Sequence, residues 1–311
     1  MKCPKAFLAI YNLSTSVWIN INIVYDDPMY TIITRYIHLN HIERIFYIIY
    51  LMDITKYLAD CIINGIPVSF SKYGDGEYSA ANGHNGANCD NDIYTTKLSE
   101  SLRLSFEYMV DKSPNSYIGI WTDNNHVNYW SSIVKNPIKL AKYHTLIMDS
   151  DNRKDKVHLF KTIKESQKKK IYICNPLLIR AQGLLNIDYM IHVPFNNWFD
   201  SQFEEIFEQI DSCIKEGEQC IIMTSAGMGS KVLISELIKK HPQNIYLDIG
   251  SGLDKICTRK TTRGWEPTYD ELIHELHELL PNDWYNEKYW WIFNEARKKL
   301  GVHAMWLNNY K

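Results

Sequence analysis

The chain has 311 residues, 45% of them hydrophobic, enough to bury about three quarters of its unfolded surface in one or two domains. Lysine and arginine number 34 against 36 acidic residues, for a net charge of -2, which excludes the basic excess of a nucleic-acid-binding chain. Its 7 cysteines include no C-x-x-C pair, which argues against a disulfide framework or a zinc site and for a reducing, cytoplasmic compartment.

The amino terminus, "MKCPKAFLAIYNLSTSVW", echoes a secretory leader, but Asn12, Ser14 and Thr15 interrupt its apolar patch early. No stretch reaches the roughly 18 uninterrupted apolar residues of a membrane span, and "IFYIIYLM" at 45–52 is too short. Residues 1–51 carry little periodicity and read as an extension. The first firm unit follows: Ile54, Tyr57, Leu58, Cys61 and Ile62 fall at helical spacing, Gly65 and Pro67 end the helix, and Val68 to Phe70 make a short strand. An acidic turn, "KYGDGE", comes directly after that strand. Leu98, Leu102, Phe106 and Met109 then mark an amphipathic helix, "SYIGIW" at 116–121 a strand, and "WTDNNHVNYW" a loop leading into a helix.

From "HLFKTIKESQKKK" the alternation is regular: a basic-ended helix, a strand at 171–175, a helix near "PLLIRAQGLL" and a strand at 189–193. The stripe Phe203, Ile206, Phe207, Ile210, Cys213, Ile214 predicts a helix opened by a Ser201–Glu204 capping box and stopped at Gly217. Next come a strand at 220–224, a glycine turn, a helix carrying Val232, Leu233, Leu237 and Ile238, and a strand at 245–249. Two apolar strands joined by a helical crossover lie parallel in a sheet covered on both faces. The fold class is therefore α/β, Rossmann-like, with a mostly parallel sheet and helices on both sides. Thr268 with Glu271 makes a second capping box, and "EKYWWIFNEARKKLG" reads as a final helix ended by Gly301.

Ligands of open parallel sheets settle outside the carboxyl ends of the strands. "GDGE" sits at such an end. If the chain there is extended, Asp75 and Glu77, two residues apart, point the same way and converge on one cation, with Gly74 and Gly76 opening the approach. A hard ion such as Mg²⁺ or Mn²⁺ shares such carboxylates with phosphates. The plainer alternative is a tight turn with Asp75 as a cap and Glu77 in solvent. The turn "TSAGMGSK" offers Ser225, Gly227, Gly229, Ser230 and Lys231 to phosphate oxygens or, alternatively, only close helix–strand packing. Asp248 and Gly250 end the next strand at the same edge.

Together, "KYGDGE", "SAGMGSKVL" and "YLDIGSG" resemble the GT-D glycosyltransferase family over about residues 52–281. The resemblance implies a Rossmann-like glycosyltransferase domain over 52–281, with 1–51 an extension and 282–311 a helical segment packed on it. It also implies Mn²⁺ or Mg²⁺ at Asp75 and Glu77, a nucleotide-diphosphate sugar donor, typically UDP-linked, and a glycan acceptor. Gly227 and Asp248 would help form the donor pocket, and Lys72 stands where the family commonly has arginine. Ser251 and Gly252 stand where a histidine is often found. The expected activity is hexosyl transfer, with Asp248, Glu266 or His192 as a base and the aromatics of 121–130 and 194–200 stacking on sugars. A metal-dependent phosphohydrolase and a non-catalytic nucleotide-sugar- or carbohydrate-binding protein remain the rival readings.

Overall fold

The computed structural model describes residues 50–121, 123–146, 152–258, 274, 276, 277, 279–281 and 284, together with strands at 6–13, 16–23 and 30–32. Strands β1 (Ala6–Leu13) and β2 (Ser16–Ile23) pair antiparallel as a separate two-stranded sheet. Strands β3 (Tyr30–Ile32) and β4 (Tyr50–Met52) pair antiparallel at one edge of the main sheet.

The main body alternates helices and strands. Helix α1 (Thr55–Asn64) ends at Gly65, whose left-handed backbone returns its N–H to the Cys61 carbonyl. Strand β5 (Val68–Tyr73), helix α2 (Asp75–Ala81) and helix α3 (Thr96–Asp111) follow, the last capped by Thr95 Oγ1 accepting from Leu98 N at 3.1 Å. Strand β6 (Ser116–Ile120), helix α4 (Asn124–Ser132) and the short strand β7 (Leu140–Ala141) come next. Then come α5 (Arg153–Glu165), β8 (Lys169–Cys174), α6 (Ala181–Leu185) and β9 (Tyr189–His192). The described chain continues through α7 (Trp198–Cys213), β10 (Cys220–Ser225), α8 (Gly229–Lys240), β11 (Ile245–Asp248) and α9 (Asp254–Thr258).

The sheet runs β3-β4-β7-β6-β5-β11-β10-β8-β9, and every pairing except β3 with β4 is parallel. Strands β5, β6, β10 and β11 are buried throughout, as strands covered on both faces must be. One face packs on α1, α5, α6 and α9 through Leu58, Phe160, Leu185 and Ile256, the other on α2, α3, α4, α7 and α8 through Ala80, Phe106, Trp130, Ile206 and Leu233. This is the α/β, Rossmann-like arrangement read from the sequence.

Two local expectations change. Helix α7 begins at Trp198, with Asn197 in the left-handed region ahead of it, so Ser201 lies inside the helix and its hydroxyl donates back to the Asn197 carbonyl. Buried Trp198 and Phe199 extend the helix past the capping-box signal, and Gly217, at φ 75°, shapes the turn into β10 instead of capping α7. The capping box at Thr268 and Glu271, the helix ended by Gly301, and Glu266 lie outside the described residues.

Candidate active site at the carboxyl edge of the sheet

Strand β5 is anchored just before the acidic turn. Tyr73 is fully buried, packs edge-on against Phe106 and Trp130 at 4.9 and 5.1 Å, and its hydroxyl lies 3.0 Å from Ser105 Oγ. Burial pushes that phenol well above the usual tyrosine range. The next residues therefore leave the sheet from a fixed point. There the chain turns at once into α2, so Asp75 and Glu77 do not lie on an extended strand. On a helix they diverge by about 200°, which overturns the same-side geometry expected for them.

Asp75 is exposed, and no hydrogen bond or ion pair engages it among the described residues. Glu77 is buried: its Oε2 accepts from Gly74 N at 2.8 Å, and its Oε1 meets Lys231 Nζ at 2.9 Å. It neither faces solvent, as the plain-turn reading required, nor holds both oxygens free.

Lys231, on the first turn of α8, also lies 3.2 Å from Asp248 Oδ2 and donates to the Gly227 carbonyl at 3.1 Å. Burial alone would lower this ammonium, but Asp248 and Glu77 outweigh it and hold the group above the ordinary lysine range. Asp248 Oδ2 also accepts from Lys72 N at 2.9 Å, and Lys72 Nζ donates to the Ile249 carbonyl at 2.8 Å. The ends of β5 and β11 are thus stitched together by Asp248. Lys72 is 3% exposed, and burial lowers its pKa to about 8 despite Asp248.

These groups border a cavity of about 370 Å³ over the carboxyl ends of the strands, within the usual size for small-molecule sites. Lys72, Asp75, Gly76, Glu77, Ser225, Gly227, Lys231 and Gly250 line it; Gly74, Gly229 and Asp248 do not. Asp248 acts from beneath, through the two lysines. Gly250 sits at φ 56°, a backbone that side chains rarely adopt, and a Cβ there would displace Lys72 Nζ. Ser225 spends its hydroxyl on the fold, donating to the Gly250 carbonyl at 2.5 Å and accepting from Tyr172 at 2.7 Å. Gly229 packs against Trp198, 2.7 Å from where a Cβ would sit, and buried Ser230 is turned away from the cavity. His192 is half-buried, its ring pKa lowered by burial, and it does not line the cavity.

The glycine turn before α8 already has an anion. Asp92 accepts from Asn197 N at 2.8 Å, and its Oδ2 lies 2.6 Å from where a Cβ on Gly227 would stand, so one buried carboxylate sits at the starts of both α7 and α8. Asn197 Oδ1 accepts in return from Ile93 N at 2.8 Å. Asn88 Oδ1 takes the N–H groups of Asp90 and Asp92 at 2.9 and 2.8 Å. The loop after α2 is thereby fixed as a wall, bringing Asn88, Cys89 and Asp90 to the cavity.

Aromatic side chains close both flanks. Trp121, after β6, stacks on Tyr143, after β7, with centroids 4.6 Å apart at 21°; Phe195 follows β9. Trp130, Trp198 and Phe199, equally prominent in the sequence, are core residues. Sequence reasoning passed over Asp92, Tyr143 and Asn175. The polar run "NGANCDND" was the one available signal, and it marked a loop without saying what the loop touches.

No protein-family model matches the chain, and no curated protein does. Similar solved structures include a selenomethionine-substituted domain of unknown function 1792, at 17% identity and TM-score 0.46, covering 76% of this chain and 96% of that one. A second structure of that domain, described as having a distinct glycosyltransferase fold, shares 17% identity with TM-score 0.47 over 75% and 96% of the two chains. A third, described as a new glycosyltransferase from Streptococcus sanguinis, gives 17% identity and TM-score 0.49 over 75% and 95%. At that identity the likeness is one of outline, and the chemistry has to be read from the residues that line the cavity.

Proposed function

We propose that the chain is a glycosyltransferase that moves a hexosyl group from a nucleoside-diphosphate sugar, most simply a UDP-sugar, to a carbohydrate acceptor. The observation that carries this reading is the pair of buried lysines, Lys72 and Lys231, lining a cavity that also presents the carboxylate of Asp75, unengaged among the described residues. Transfer breaks the bond from the anomeric carbon to the diphosphate, whose oxygen keeps the electron pair. The acceptor oxygen forms the new bond, and its proton passes to a cavity carboxylate or to solvent. Negative charge grows on the departing diphosphate, where fixed cations in a shielded site are worth several kcal/mol.

The two lysines suit different parts of this task. Lys231 is pinned by two carboxylates and a carbonyl, so it contributes a fixed charge and cannot move far. Among the described residues the Lys72 ammonium makes a hydrogen bond to one carbonyl, which leaves two of its N–H groups for phosphate oxygens.

Among the described residues no group of three or more His, Cys, Asp and Glu is placed to hold a metal by protein ligands alone. The donor set fits an ion that keeps one or two carboxylates and takes its remaining ligands from phosphates and water, as Mg²⁺ and Mn²⁺ do. Asp75 would hold it directly. Glu77, one oxygen of which already serves Lys231, would add at most a second contact. Bound there, such an ion supplies further positive charge to the leaving diphosphate.

The test is mass spectrometry of a carbohydrate acceptor panel incubated with the chain, UDP-hexoses and Mn²⁺. A hexose added to an acceptor, lost in the Asp75→Ala/Glu77→Ala double variant, is expected. Undiminished transfer by the double variant would reject the role given to these carboxylates, and consumption of donor with release of free sugar alone, whatever the acceptor, would favour a hydrolase.

A further inference from the structure

We infer that the cavity is divided by its charged centre into a nucleoside flank, built on Trp121 and Tyr143, and a carbohydrate flank, built on Phe195 and Asn175. This rests on reading the centre as a diphosphate site. The order of the strands supplies the division. Lys72 is the last residue but one of β5, and Asp248, which steadies both lysines, ends the adjoining β11. On one side of that junction lie β6 and β7, followed by Trp121 and Tyr143; on the other, beyond β10, lie β8 and β9, followed by Asn175 and Phe195.

The flanks differ in chemistry. Trp121 and Tyr143 are stacked at 4.6 Å and 21°, two nearly parallel rings on one side of the cavity. Tyr143 also adjoins the charged centre: Lys72 Nζ lies 5.7 Å from its ring centroid, and its hydroxyl lies 2.7 Å from where a Cβ on Gly74 would stand. A base and its phosphates are separated by a single ribose, so the stacking surface for a base has to be next to the phosphate-binding cations. Among the described residues bordering the cavity, this aromatic pair alone meets that condition, since Phe195 follows β9, beyond β10 and β8 from the centre. A planar base needs a flat surface more than it needs many polar partners.

The opposite flank offers one ring beside an amide that pairs with hydroxyls. Asn175 borders the cavity there, its Oδ1 accepting from Leu177 N at 2.9 Å and its amide nitrogen a donor suited to a hydroxyl. An amide donor beside an aromatic ring suits a sugar, with its ring of hydroxyls and its apolar face.

Isothermal titration of the full chain in Mg²⁺, with inorganic pyrophosphate and with UDP, GDP, CDP, TDP and ADP in turn, separates the parts. The expected result is at least one nucleotide binding tighter than pyrophosphate, with that advantage cut about tenfold in Trp121→Leu or Tyr143→Leu and pyrophosphate affinity held within about twofold. Tyr143→Phe, which keeps the ring, should retain the nucleotide's advantage, and Tyr143→Leu asks the question again if Trp121→Leu does not fold. Phe195→Leu should leave both affinities within about twofold. Nucleotides binding no tighter than pyrophosphate, or a nucleotide-specific loss in Phe195→Leu instead, would overturn the division while leaving the diphosphate centre standing. Failure of pyrophosphate and every nucleotide to bind the unaltered chain would overturn both.

Discussion

Lys231, 5% exposed, is shared by Glu77 at 2.9 Å and Asp248 at 3.2 Å. Removing its charge leaves two buried carboxylates without their cation, a loss of about 3–5 kcal/mol for a buried pair. Urea unfolding of Lys231→Met should show a drop of that size, and a change below about 1 kcal/mol would mean the carboxylates are not held by this ammonium. Lys72 gives a pH signature. Its folded pKa, about 8 because of burial, lies below the ordinary 10.5, so between those values the unfolded chain binds more protons and this group makes stability rise with pH. Anion affinity moves the other way, because the ammonium is lost as pH climbs through the folded value. UDP affinity measured from about pH 7 to about pH 9 should fall by as much as about tenfold in the last unit, and Lys72→Arg should flatten the curve. An equally steep curve in the arginine variant would assign the titration elsewhere. Lys72, Asp75, Glu77, Lys231 and Asp248 were each legible as polar residues near strand ends; that Lys231 would answer Glu77 depends on α8 packing against β5, which no local pattern records.

The elements around the cavity are held by a clamp at the starts of α7 and α8. Gly227 sits at φ 64°, and a Cβ there would lie 2.6 Å from Asp92 Oδ2. Gly227→Ala combines a left-handed backbone with displacement of that carboxylate and should cost about 1–3 kcal/mol in urea unfolding. An unchanged midpoint would show that the turn relaxes freely. Asp92→Ala should loosen the loop it anchors, read as faster limited proteolysis between α2 and α3 than in the parent chain. Equal cleavage rates would show that Asn197 and Asn88 suffice. Helices with a clean apolar stripe, such as α3 and α7, were legible because periodicity is local. The start of α7 was not, since Ser201 and Glu204 spell a cap while the burial of Trp198 and Phe199, a tertiary event, carries the helix four residues further, from a cap at Ser201 to one at Asn197.

On the scale of the molecule, the parallel sheet covered on both faces was legible in the apolar runs of β10 and β11 and the helix between them. The order β7-β6-β5-β11-β10-β8-β9 was not, because it is set by pairings between distant segments such as β5 with β11. That order places seven strand ends around one cavity and makes a central diphosphate site with two flanks a property of the whole sheet. Asp75, exposed and outside this scaffold, should be replaceable without loss of fold: Asp75→Asn is expected within about 0.5 kcal/mol of the parent in urea unfolding while losing the divalent-ion dependence of UDP binding. The central claim is tested most directly by a crystal grown with UDP and Mn²⁺ and examined by anomalous scattering at the manganese edge. The expected map shows manganese beside Asp75 and a diphosphate in contact with Lys72 in the same cavity; ion and diphosphate bound elsewhere, with the cavity holding only solvent, would contradict it.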